Sequence, residues 1–259
     1  MNKQSNELPK ISCLMVTCGR IAMIKRSVQC YCDQTYPNRE LIILSNEKPA
    51  IIKTITDCLA LFGNRSDIKF EALADRKYTL GELRNKSIEK AKGSIVCIWD
   101  DDDLYHPERL SLQYKNMEKA DAAVSLLTDY LHFFWTDLKL AWAVWQSNFP
   151  DEVNGLPGSL MIYKKVILDY PEQGQFANAG EDSHLLYRLY QAGIKVAKLS
   201  GRADLYLYSF HGNNTWALEH HERLFHFFRR KRNALSDSQN NQLDSALNYY
   251  QLPSGYKLY

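Results

Sequence analysis

From Ile11 to Trp99 the chain alternates short apolar runs with segments of helical period, and this alternation restricts the fold more than any other feature. Ile11 to Val16, Leu41 to Leu44, Ile68 to Leu73 and Ser94 to Trp99 read as buried strands. Ile21 to Cys32, Ala50 to Phe62 and Leu80 to Ala91 read as the helices between them. A strand-helix-strand series of this kind calls for parallel strands joined by helical crossovers, with helices covering both faces of the sheet. Ligands of such open sheets bind at the carboxyl ends of the strands. Three strand ends are polar: Thr17 to Arg20, Ser45 to Glu47, and Asp100 to Asp103.

Beyond the acidic run the pattern loosens. Pro107 suits a first helical position and predicts a helix to about Lys119. An apolar stretch follows at Ala122 to Leu127, then an aromatic patch from Tyr130 to Trp145 and a strand-like Gly158 to Tyr163. A helix is expected over Asp182 to Gln191, closed by Gly193 as a left-handed cap. Lys195 to Leu199 and Leu205 to Phe210 read as strands, Trp216 to Arg232 as a helix, and the last residues as peripheral.

A formal charge of +2 supplies no global field to draw the chain to nucleic acid, and none is expected as a partner. Apolar runs stay far short of the roughly 20 residues that cross a bilayer. The polar stretch Met1 to Lys10 lacks the apolar core of a secretory signal, so residues 1–9 read as a frayed lead-in. Cys13, Cys18, Cys30, Cys32, Cys58 and Cys97 are scattered, several inside strand-like runs, which fits a reducing, cytoplasmic compartment better than a disulfide framework.

Asp100, Asp101, Asp102 and Asp103 follow directly on a buried strand. Alternate side chains of extended chain share a face, so Asp100 and Asp102 would stand about 7 Å apart. At an effective dielectric near 20 their charges repel by about 2 kcal/mol. A divalent cation with hard oxygen ligands compensates such a pair, and Mg²⁺ or Mn²⁺ typically combines one or two carboxylates with substrate phosphate oxygens. One aspartate would suffice to cap the helix at Pro107; four exceed that need.

Together with this run, Thr17-Cys18-Gly19-Arg20, the stretch Gln34 to Ile43, Leu83-Arg84-Asn85, Pro107-Glu108-Arg109-Leu110 and Gly180-Glu181-Asp182 resemble family 2 glycosyltransferases of the GT-A fold, in order and spacing, over about residues 10 to 215. The resemblance implies an α/β fold, a Rossmann-like, mostly parallel sheet flanked by helices with a small acceptor-side subregion. It implies a single domain over 10–235, with a nucleotide-sugar half at 10–105 and an acceptor half at 106–235, and a peripheral tail at 236–259. It implies that Asp100 and Asp102 hold Mn²⁺ or Mg²⁺ and the donor diphosphate, with Asp101 close by. Thr17, with Gly19 and Arg20, matches the first nucleotide-contacting strand end, and Arg84 and Asn85 match a pair near donor phosphates and base. Ser45-Asn46 departs from the family's usual two aspartates, leaving Asn46 at the nucleoside position.

By the same resemblance Asp182, beside Glu181, is the general base that takes the acceptor hydroxyl's proton during inverting displacement. His211, at a strand end before Gly212, matches a position where some members place a metal-binding histidine. The expected donor is a nucleotide sugar, a UDP-sugar first. The expected acceptor is a glycan, lipid-linked or polysaccharide hydroxyl. His132 to Trp135, Trp142 and Trp145 are candidate sugar platforms or core residues. Leu218 to Arg232 could meet the inner face of a membrane through its basic end, or be an ordinary docked helix. Nucleotidyl transfer to a sugar phosphate and a non-catalytic nucleotide- or glycan-binding module are the rival readings.

Overall fold

The structure, a computed structural model, describes residues 7–146, 150–151 and 154–259; residues 1–6 of the expected lead-in lie outside the described residues. The first half follows the expected alternation: β1 (Ile11–Val16), α1 (Ile21–Cys32), β2 (Arg39–Ser45), α2 (Pro49–Ala60), β3 (Ile68–Ala72), α3 (Leu80–Lys90) and β4 (Ile95–Ile98). There follow β5 (Leu104–Tyr105), α4 (Arg109–Ala120), β6 (Val124–Leu127), β7 (Asp129–Phe134), β8 (Lys139–Val144), β9 (Met161–Tyr163), α5 (Glu181–Gln191), β10 (Val196–Leu199), β11 (Tyr206–Phe210), α6 (Leu218–Phe228), β12 (Arg229–Arg230), α7 (Asp237–Tyr250) and β13 (Lys257–Leu258).

A seven-stranded sheet runs β10-β6-β9-β4-β1-β2-β3. Its pairs are parallel except where β9 lies antiparallel between β4 and β6. The two-residue period of each strand divides its side chains between two apolar layers. Cys13, Met15, Leu41 and Ile43 join the layer with Ile24, Val28 and Ile55 of α1 and α2. Leu14, Ile42, Leu44, Val96 and Ile98 join the layer with Leu185, Leu186 and Leu189 of α5. Both faces are therefore dry, which is why these strands read as unbroken apolar runs.

A second sheet, β12-β8-β7-β11-β5, stands beside the first, and β13 adds to β8. The aromatic patch is the β7–β8 hairpin of this sheet: His132, Phe133, Phe134 and Trp142 are fully buried core residues, not platforms for sugar. The stretch 218–232 is not one basic helix. Its helical part ends at Phe228, and Arg229 and Arg230 pair with Ala143 and Trp142 of β8. Residues 236–259, expected as a peripheral tail, form α7 and β13, and Leu243, Ala246 and Tyr250 are buried against the main core. Pro107 precedes its helix rather than opening it, since α4 begins at Arg109.

One buried acid fastens the edge opposite the strand ends that carry the site. Glu40 accepts from the Ser12 hydroxyl at 2.7 Å, from Lys92 N at 2.7 Å and from Lys69 Nζ at 2.6 Å, joining β1, β2, β3 and the turn before β4. Burial pushes its carboxyl up, but Lys69 and Ser12 outweigh burial and hold it below the usual range. A depressed acid stabilises the fold above its unfolded-state value and loses that contribution as pH falls through its folded value. Replacing Glu40→Ala should lower the unfolding free energy by about 2 kcal/mol, in keeping with charged hydrogen bonds, and the difference should shrink on acidification. Urea titrations at neutral and acid pH measure both effects.

Candidate active site

The ends of β1, β2 and β4, the first turn of α5 and the loop after β11 enclose a cavity of about 1120 Å³. Of the residues expected at the site, Thr17, Arg20, Asn46, Arg84, Asp100, Asp101, Asp102, Glu181 and Asp182 line it. The acidic turn between β4 and β5 is its floor.

The backbone of that turn is fixed from behind. Ser27 Oγ and Tyr105 OH both donate to Asp100 O, at 2.9 and 3.1 Å. Arg109 is fully buried, donates to Ile98 O at 3.0 Å, and lies over the Tyr105 ring at 4.4 Å and the Tyr206 ring at 5.1 Å. The sequence showed Arg109 as part of a motif but not its role, because a first-turn arginine looks like a solvated one until its strand is in place.

Each aspartate of the turn has a different partner. Asp100 Oδ1 accepts from Arg84 Nη2 at 3.2 Å. Asp101 accepts from the Thr17 hydroxyl and, at 2.6 Å, from Arg20. Asp102 Oδ2 lies 2.9 Å from Arg20 Nη2 and 3.1 Å from His211 Nε2. Asp103 is buried and accepts from Tyr206 OH and Ser209 N, so it fastens the turn to β11 instead of capping a helix. Burial pushes Asp101 up to about 6, with Asp102 repulsion adding to it. Burial also raises Asp103 well above the carboxylate range. Asp102 alone is drawn down: the His211 hydrogen bond and the Arg20 charge overcome its burial.

Across the cavity, Gly180 takes φ +73° and starts α5. Its successors diverge. Glu181 is 3 % exposed and accepts from Arg84 Nε at 2.8 Å, so its charge is taken up by the guanidinium. Asp182 is half-buried, lines the cavity and accepts only the Ser183 N–H among the hydrogen bonds recorded for its side chain. Burial, then the charge of Glu181, pushes it up to about 7.

Three expected residues do not front the cavity. Gly19, at φ +90°, would bring a Cβ within 2.3 Å of Ile51 Cγ2, so it lets the β1–α1 turn pack closely against α2. Asn85 donates to Tyr170 O and Glu172 Oε1 and accepts from Tyr170 N, tying α3 to the chain before α5. His211 does not line the cavity and meets it through Asp102 and through Asn214, whose Oδ1 accepts from His211 N. Among the described residues no group of three or more His, Cys, Asp or Glu side chains forms a metal cluster; Asp102 and His211 converge, while Asp100 faces Arg84. Conversely, Phe176, Tyr187 and Trp216, unmarked by any periodicity, line the mouth. Phe176 stacks on His184 and Trp216 on His220, each at 4.8 Å between ring centres.

The acidic strand end thus stands across one cavity from a helix that opens with Glu181 and Asp182. The sequence profile described as "Glycosyl transferase family 2" matches residues 12–150, more than half of the chain, and the chain belongs to that family. It is 28% identical to EpsH of Bacillus subtilis (strain 168) over 102 residues, 39% of this chain and 28% of that protein. It is 27% identical to an uncharacterized glycosyltransferase of Rickettsia bellii (strain RML369-C) over 120 residues, 46% of this chain and 16% of that one. The matched region thus spans less than a third of either relative. Among solved structures, S. aureus TarS 1-349 in complex with UDP-GlcNAc aligns with TM-score 0.60 at 14% identity, covering 93% of this chain and 80% of TarS 1-349. The mannosyltransferase PcManGT of Pyrobaculum calidifontis in complex with GDP-Man and Mn²⁺ aligns with TM-score 0.60 at 11% identity, covering 81% of this chain and 59% of that one.

Arg84 joins Asp100 to Glu181, and so the strand end to the helix that carries Asp182. Removing one partner of a buried ion network leaves the others uncompensated, at a cost of about 3–5 kcal/mol. Arg84→Met should show that loss in chemical denaturation. A variant of unchanged stability that has lost only nucleotide affinity would mean that Arg84 contacts donor and not the framework.

Proposed function

We propose that the chain transfers a sugar from a nucleoside-diphosphate donor, a UDP-sugar first among candidates, to a hydroxyl of a glycan or lipid-linked acceptor, with inversion at the anomeric carbon. The observation that carries this reading is a half-buried carboxylate, Asp182, in no ion pair among the described residues and set across one cavity from a partly compensated acidic turn. The nucleotide sugars bound by the two solved relatives support the donor class.

The donor diphosphate lies against the acidic turn, with the nucleoside toward Thr17 and Asn46. Asp102 and His211 fit a divalent cation, because Mn²⁺ and Mg²⁺ need few protein ligands when phosphate oxygens complete the shell. Bound there, the cation supplies neutralisation of the charge that grows on the departing diphosphate. Asp182 accepts the proton of the acceptor hydroxyl while that oxygen forms its bond to the anomeric carbon. The bond from the same carbon to the diphosphate oxygen breaks, and the diphosphate leaves with the electron pair. Phe176, Tyr187 and Trp216 offer ring faces to the acceptor, which suits the C–H faces of a sugar.

A base with a value near the working pH is well matched to proton transfer. Asp182 is charged above about 7 and protonated below it, so turnover should rise with pH through that value and then level off. Asp182→Asn should lower turnover by about 100-fold or more, erase the acid limb of the profile and leave donor binding intact. A variant with the parent rate would remove Asp182 from the chemistry.

Thermal unfolding with UDP, GDP and their sugar derivatives, with and without Mn²⁺, tests the donor class. A ligand at 100 times its Kd stabilises by about 2.7 kcal/mol. A metal-dependent shift is expected with the correct nucleotide and is expected to vanish in Asp102→Ala. No shift across the panel would overturn the donor assignment.

A further inference from the structure

The acidic turn already holds a cation of the chain's own. Arg20 Nη2 lies 2.6 Å from Asp101 Oδ1 and 2.9 Å from Asp102 Oδ2, bridging the two carboxylates. The same Asp102 oxygen faces His211 Nε2 at 3.1 Å. Arg20 therefore sits on the carboxylate oxygen, and beside the imidazole, that the proposed metal requires.

We propose that Arg20 is an internal stand-in for the divalent cation, released from Asp102 when the donor diphosphate arrives, so that metal and nucleotide bind as a coupled pair. This rests on the metal reading given above. Three features of Arg20 carry it. Its side chain is 28% exposed and lines the cavity, so the guanidinium has room to turn toward a ligand there. Its Nε is buried with no acceptor, so its present seat leaves one donor unsatisfied. Its Nη1 is held only by a backbone carbonyl, Asn213 O at 3.2 Å, in the loop after β11.

Electrostatics makes the exchange mutual. A metal ion arriving alone must separate Arg20 from Asp102 and leave the guanidinium without its anion. A diphosphate arriving alone meets an acidic turn that Arg20 and Arg84 only partly offset. Arriving together, the metal replaces Arg20 on Asp102, and the diphosphate gives the planar guanidinium a bidentate partner of the kind it prefers. Coupling of this kind is reciprocal, so each ligand strengthens the other by the same factor.

Electron paramagnetic resonance of free Mn²⁺ reads the metal directly, without turnover. In the parent protein UDP should tighten Mn²⁺ binding by about tenfold or more, within the usual range of coupling between sites. Equal Mn²⁺ affinity with and without UDP in the parent would overturn the proposal with no variant needed. Arg20→Ala should bind Mn²⁺ alone about tenfold more tightly than the parent and lose most of the coupling. Arg223→Gln removes another cavity-lining cation that touches none of these aspartates, and its Mn²⁺ affinity should stay at the parent value. Equal tightening in both variants would reveal a general field effect and overturn the exchange. Asp102→Ala separates the two readings. If it binds Mn²⁺ as the parent does, the metal assignment falls. If it loses Mn²⁺ while Arg20→Ala matches the parent for Mn²⁺ alone, only the role of Arg20 falls.

Discussion

A buried guanidinium holds the two halves of the site in register. Arg84 reaches from α3 to Glu181 on one side and Asp100 on the other. Glu181 and the guanidinium itself lie where water is scarce, and a charge placed there without a partner costs several kcal/mol. The network thus fixes the distance between the strand end that would receive the diphosphate and the helix turn that carries Asp182. Glu181 is the anchor of this pair and Asp182 the exposed neighbour. Adjacent acids at a helix N-terminus are brought to different chemistry by which one the guanidinium takes.

The acidic turn works by the same division. Four consecutive aspartates cannot all stay charged and unpaired in a half-buried loop. Asp103 is absorbed by hydrogen bonds from β11, Asp100 by Arg84, and Asp101 by Thr17 and Arg20. Asp102 is left with a partly exposed arginine, which it shares with Asp101, and a histidine just beyond β11. The run of like charge is therefore a set of distinct residues, each with its own partners, and Asp102 is drawn down where the other three are pushed up.

The parallel half of the fold was legible because both faces of its central strands are buried, so that β1, β2 and β4 show as apolar runs and every crossover as a helical period. The bounds of β1 and α1 match the expected ones to the residue. The second sheet was hidden for the opposite reason. Its strands combine aromatic, histidine and small residues, and a stretch such as Tyr130 to Trp142 has the composition of an exposed platform until its partner strands bury it, whereas Trp145 just beyond does line the cavity. The basic end of 218–232 was similarly ambiguous, since two arginines extend a strand as readily as they end a helix. Chemistry-bearing residues at strand ends, Thr17, Arg20 and Asp100 to Asp102, could be found from sequence because topology alone sends those positions to a common edge. Asn85 and Gly19 could not be sorted from their neighbours, because a side chain's direction within a turn or helix depends on packing across the sheet.

The same dependence explains the mouth of the cavity. Gly180 has Phe176 Cδ1 and Trp216 Cζ2 at 3.6 and 4.0 Å from the position a Cβ would occupy, one ring from each side. The rings come from segments far apart in sequence, with no period to mark them. Both are exposed, which is costly for large aromatics unless something covers them, and histidine stacking at one face of each limits how far they can turn. They border the turn that presents Asp182. A ring seated against them would shed water from the aromatic faces and from the Asp182 carboxylate together, adding to the burial that already raises it.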